Sequence, residues 1–132
     1  MKTLVKVYFS VIAILSGVLG LGAIVAPASM LPELGVAAEP TVVTIYQRFG
    51  ITMLPFALFF WHLKGHPERS TRLVLTVAAL MLYGGLGAAT FLGMRSDVLS
   101  GATVPMFVES VVTLLGVVVL VVTLKGEGAE GA

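Results

Sequence analysis

Cysteine is absent from this 132-residue chain. That absence removes disulfides, thiolate metal sites, iron–sulfur clusters and cysteine nucleophiles together, and leaves the redox compartment unmarked. Charge is scarce as well: Asp, Glu, Lys and Arg make up 11% of the residues, against about 25% in an ordinary soluble domain. The only histidines are His62 and His66. Their i, i+4 spacing suits a metal on a helix, but Gly65 and Pro67 break the helix between and beyond them, and Glu68 is the one carboxylate nearby. Interfacial histidines are therefore expected, with no metal site, and haem held between two histidines deep in a bundle lacks its ligands. There is no nucleophile triad, phosphate loop or nucleic-acid surface. No catalytic residue, cofactor or nucleic-acid partner is expected.

What remains is apolar. Hydrophobic residues are 58% of the chain and the mean hydropathy is +1.04. A soluble core of this size has no room for that excess, so lipid is the solvent for most of the surface. Four runs, Leu4–Ala26, Thr41–Leu63, Leu73–Met94 and Val104–Leu124, are long enough at 1.5 Å per residue to cross a hydrocarbon core about 30 Å thick. They are continuous and lack the alternation of a membrane β-barrel. The first follows Lys2 and Lys6 and ends in Ala26-Pro27-Ala28, as a secretory signal does, but exceeds the usual signal core. A retained helix is expected.

The breaks carry turn chemistry. Pro27, Pro32, Glu33, Gly35, Glu39 and Pro40 fall in the first, and Lys64 to Arg72 form the second, where Ser70 or Thr71 is expected to cap the third span. Arg95, Ser96, Asp97, Ser100 and Gly101 form the last, and Pro105 suits the first turn of the fourth span. Short connections force antiparallel neighbours. The expected fold is all-α: one domain over residues 1–132, an antiparallel four-transmembrane-helix bundle with a frayed tail from Gly126. Lys2, Lys6, Lys64, Arg69, Arg72 and Lys125 fall on one side, opposed only by Arg95. This bias puts both termini in the cytoplasm, in a bacterial inner membrane, with Trp61 as an interfacial anchor.

Two charges lie well inside the spans. Counted from the ends facing away from the cytoplasm, Arg48 is about 10 Å deep and Glu109 about 8 Å. A charge alone in hydrocarbon costs at least about 2.5–3.5 kcal/mol, so an ion pair is expected. Thr44, Arg48 and Thr52 recur at i, i+4, i+8, and Glu109, Thr113 and Gly116 form a similar stripe. Both are expected to face inward, with Tyr46, Gln47 and Ser110 nearby. Two readings stay open: a clasp that fixes helix register, and a site for a headgroup, a quinone or an ion. Gly85, Ala89 and Gly93 on the third span, and Gly17 and Gly20 on the first, belong to small-residue rows that let backbones approach. Packing within the bundle is the expected use, and an oligomer interface the alternative. Pro55 is expected to kink the second span.

Val25-Ala26-Pro27, Leu31-Pro32-Glu33-Leu34-Gly35, Arg48-Phe49-Gly50, the Gly-rich third span and Glu109 follow one another in an order that resembles small bacterial four-helix membrane proteins of the DoxX-like group. Arg48-Phe49-Gly50-Ile51 also resembles the start of the second helix in the ergosterol-biosynthesis scaffold family, without that family's cytoplasmic tail. The resemblance implies a noncatalytic membrane scaffold or accessory subunit and draws attention to Arg48, Gly50 and Glu109.

Three functions compete. The first is an accessory or scaffolding subunit of a larger membrane assembly, respiratory or photosynthetic among the settings considered, with membrane lipid and other subunits or further copies as partners. The second is a small protein that binds or carries a lipid, quinone or other amphipathic molecule through Arg48 and Glu109. A membrane enzyme using Glu109 with Tyr46 or Arg48 ranks last.

Overall fold

The computed structural model describes residues 2–66, 68–96, 98, 99 and 101–126. Pro67, Asp97, Ser100 and the expected frayed tail beyond Gly126 lie outside the described residues. The chain forms α1 (Lys2–Val25), α2 (Pro27–Glu33), α3 (Pro40–Leu63), α4 (Arg69–Arg95) and α5 (Thr103–Lys125). α1, α3, α4 and α5 are long and apolar enough to cross a membrane, and no strand occurs among the described residues. The fold is the expected all-α antiparallel bundle. Its boundaries move by about a turn at most: Lys2, Arg69 and Lys125 continue helices whose apolar runs they flank, and α1 ends at Val25, one residue short of the expected Ala26.

The addition is α2, in a stretch expected to be a connection. Pro27 lacks the N–H that would continue α1, yet its fixed φ suits a first helical position. α2 then stops at Gly35, whose φ of 75° is open to glycine. Val36 N–H donates to Leu31 O at 3.1 Å and Gly35 N–H to Pro32 O at 2.9 Å, the crossed pair of bonds that closes a helix end at a left-handed residue. α4 begins differently from the expectation: Glu68 is its N-cap residue, and Ser70 and Thr71 donate their hydroxyls to the Glu68 carboxylate at 2.7 and 3.4 Å. α3 runs continuously through Pro55, which is exposed.

The long helices pack mainly as two antiparallel pairs, α1 on α3 and α4 on α5. Between apolar helices in lipid there is little hydrophobic drive, so close backbone approach and hydrogen bonds must hold the pairs. A Cβ on Gly20 would lie 3.0 Å from Gly50 O, and one on Gly50 would lie 2.6 Å from Gly20 O and 2.8 Å from Ala23 Cβ. Gly17 faces Ala57 in the same seam. These two glycines of the first span serve packing within the bundle.

The row on α4 is engaged only at one end. Gly85 has nothing within 4 Å of its would-be Cβ, Ala89 is exposed, and Gly93 instead meets the Leu99 side chain. The glycines that face α5 are Gly84, against Thr113, and Gly87, against Glu109. The two pairs meet around Tyr8, Phe9, Ile12, Phe60, Leu75, Ala79, Tyr83, Val112 and Val119, a buried cluster drawn from all four long helices. Ser16 on α1 and Tyr83 on α4 share a buried hydrogen bond of 2.9 Å between them. The end carrying Lys2, Lys64, Arg72 and Lys125 is the basic end, and the end carrying α2 and Arg95 is the distal end.

Candidate functional site

Towards the distal end the two helix pairs part, and a cavity of about 550 Å³ lies between them. All five helices contribute to its wall: Leu19 from α1, Met30 and Glu33 from α2, Tyr46 and Phe49 from α3, Leu86 and Thr90 from α4, and Val104, Pro105 and Glu109 from α5. The wall is mainly apolar, with few polar groups, as ligand cavities usually are. Tyr46 and Phe49 stack with ring centroids 5.9 Å apart and planes at 11°.

Glu109 is the charged residue that a spanning helix contributes to the described wall. Its side chain lies across Gly87, where a Cβ would come 3.6 Å from Glu109 Cβ, so a helix without a side chain at that position gives it room. Thr90 sets its hydroxyl beside the carboxyl. The carboxyl oxygen Oε2 is buried and has no hydrogen-bond partner among the described residues. A buried polar atom left unpaired costs about 1–3 kcal/mol, more when charged, so Oε2 is an acceptor in want of a donor.

The expected ion pair between Arg48 and Glu109 does not form among the described residues. Arg48 is exposed on α3 and does not line the cavity, while Glu109 is half-buried between α5 and α4. Their depths match, but α3 packs on α1 and turns the arginine outward. Thr44 and Thr52 share its exposed face, and the stripe expected to point inward points out. It can do so because each hydroxyl is satisfied on its own helix: Thr44 donates to Pro40 O at 2.9 Å and Thr52 to Arg48 O at 3.0 Å. Thr113 likewise donates to Glu109 O at 2.7 Å, with its methyl against Gly84. Of the nearby polar residues, Tyr46 joins the cavity, Gln47 donates to Ile24 O at 3.3 Å, and Ser110 is exposed and bonded to Met106 O.

Sequence reasoning missed Thr90, Gly87 and the buried Tyr8, Ser16 and Tyr83 cluster as members of one polar interior. Tyr8 Oη is a second buried atom without a hydrogen-bond partner among the described residues, and it lies against Gly116. The signal available was a scatter of single hydroxyls in the middle of otherwise apolar spans.

The fold and site define a class: a membrane bundle of four spanning helices with an apolar, carboxylate-bearing cavity in one half. No family model matches the chain, and neither curated proteins nor solved structures give a match.

Proposed function

We propose that this protein binds an amphipathic molecule in the distal cavity, apolar body against Leu19, Phe49 and Leu86, with a hydroxyl or amine of the ligand donating to Glu109 Oε2. The reading rests on one observation: a buried carboxylate oxygen without a partner among the described residues, at the wall of a mainly apolar cavity of about 550 Å³. It keeps Glu109 as the recognition group and replaces Arg48 by Thr90 and Tyr46. The basic end faces the cytoplasm of a bacterial inner membrane in this proposal, so the cavity belongs to the outer half of the bilayer. Extraction in mild detergent followed by native mass spectrometry tests it. The wild type is expected to carry a reproducible small-molecule mass that Glu109→Gln loses while remaining helical. An empty wild type, or equal occupancy in the variant, counts against it.

A second reading, an accessory subunit of a larger membrane assembly as the DoxX-like resemblance implies, is favoured by Arg48. An exposed arginine on the least buried of the spanning helices is costly in lipid unless it reaches the headgroups or meets a partner's carboxylate. Stoichiometric partners in the same extract that disappear with Arg48→Leu support that role. A partnerless protein under those conditions speaks against it.

A further inference from the structure

A smaller cavity, about 210 Å³, lies at the basic end, opposite the one just described. Lys2 and Lys6 from α1, Lys64 and His66 from the turn after α3, and Arg72 from α4 line it, over buried Val5. No acidic residue is among its described lining residues. Glu68, the closest carboxylate along the chain to His66, accepts from the Ser70 and Thr71 hydroxyls at the start of α4 and also interacts electrostatically with His66, so it offsets part of the positive charge at that wall.

Lys2 and Lys6 stand four apart on one helix face, an arrangement in which like charges repel. Converging cations around a concave, partly apolar surface focus a positive field that an anion relieves. Lys2 and Lys6 approach from α1, and Lys64 and His66 from the turn after α3. That geometry suits an anion with several acceptor oxygens arranged in three dimensions better than a single planar carboxylate. His66 accepts the Glu68 backbone N–H at Nδ1, 3.3 Å away, so its ring proton resides on Nε2 and adds a donor to the wall. Lys64 also lies 2.9 Å from the Trp61 ring centroid. This cation–aromatic contact steadies one wall beside an aromatic residue of the kind that settles at headgroup level.

We infer that this basic-end cavity is a binding site for a phosphate-bearing anion, presented as a phospholipid headgroup or as a soluble phosphate compound. The site is separate from the distal cavity and independent of what that cavity holds.

Native mass spectrometry of the full chain in mild detergent tests the assignment, with equimolar phosphatidylglycerol and phosphatidylcholine in one arm and inorganic phosphate in the other. Wild-type protein is expected to retain phosphatidylglycerol over phosphatidylcholine if the source is a lipid, or to hold phosphate without a lipid preference if it is soluble. Either result supports the site. Each lysine of the wall supplies a charge-assisted hydrogen bond worth about tenfold, so the Lys6→Gln, Lys64→Gln double variant is expected to lose about 100-fold in retention. Lys125→Gln, which removes a cation from the same end but not from the cavity wall, is expected to leave retention unchanged. A wild type that shows neither lipid preference nor phosphate adduct overturns the inference without any variant. Equal loss in the Lys125→Gln protein overturns it too, because the effect is then diffuse surface charge.

Discussion

The two halves of this bundle are made from the same apolar helices and differ in how they are filled. Towards the basic end Tyr8, Phe9, Phe60, Leu75 and Val119 are almost fully buried, and the cavity at that end, about 210 Å³, is less than half the volume of the distal one. Towards the distal end the α1–α3 seam is tight at Gly20 and Gly50, yet the α4–α5 pair stands away from it and the cavity opens. Large side chains at one end therefore interlock the pairs, whereas at the other Leu19, Met30, Tyr46, Phe49 and Leu86 line a space instead of filling it. A bundle in lipid gains no hydrophobic reward for closing such a space. The cavity is stable wherever nothing large projects into it.

The sharpest way to break this contrast is to remove one aromatic ring from each half. Phe60→Ala is expected to cost about 3–5 kcal/mol, as for a fully packed Phe. Phe49→Ala, on a wall that already borders empty space, is expected to cost less than half as much. Thermal unfolding of both in one detergent compares them, and equal losses would mean that the distal half is as well packed as the basic half.

Glycines give the next largest effect. Gly50→Ala puts a Cβ into backbone at 2.6 Å, and overpacking of this kind costs about 1–3 kcal/mol. Gly85→Ala meets nothing within 4 Å and is expected to leave the isolated protein within about 0.5 kcal/mol. If Gly85→Ala instead disrupts an oligomer in gentle extracts, the exposed row on α4 serves another chain.

The smallest effect concerns the turn that leads into α4 at the filled end. The Ser70 hydroxyl, helped by Thr71 and His66 and opposed by slight desolvation, holds the Glu68 carboxyl below its ordinary pKa. A lowered folded pKa stabilises above the ordinary glutamate range and is lost as pH falls through the folded value. Amide protection in the first turn of α4 is expected to drop on acidification, and to drop less in Ser70→Ala. A pH-independent profile in the wild type would remove Glu68 from the account.

The spans were legible because apolar length is a property of each segment alone. α2 was not: seven residues are too few to display a helical period, and Pro27 and Pro32 read equally well as turn chemistry. Its trace was Pro27 as an opening position with Gly35 just past the close. The depths of Arg48 and Glu109 follow from counting along the axis, but their facing depends on which helices pair. Chain order does not reveal that α3 is spent on α1. Thr44 and Thr52 misled for a related reason, since a threonine that bonds its own i−4 carbonyl has no need to face inward. On α4 the small-residue row was right in kind but shifted by one or two positions, Gly84 and Gly87 in place of Gly85 and Ala89, because a run so rich in small residues fits several registers.

Gly101 has a kinetic meaning beyond packing. A Cβ there would lie 2.7 Å from Glu33 O and 3.0 Å from Gly35 N, so the chain between α4 and α5 touches the end of α2 backbone to backbone, at the cavity wall. Under the function proposed above, recognition falls to Glu109 and passage of an occupant on this side would require this seam to part. On that proposal residence time and binding strength would be governed by different residues and could change separately.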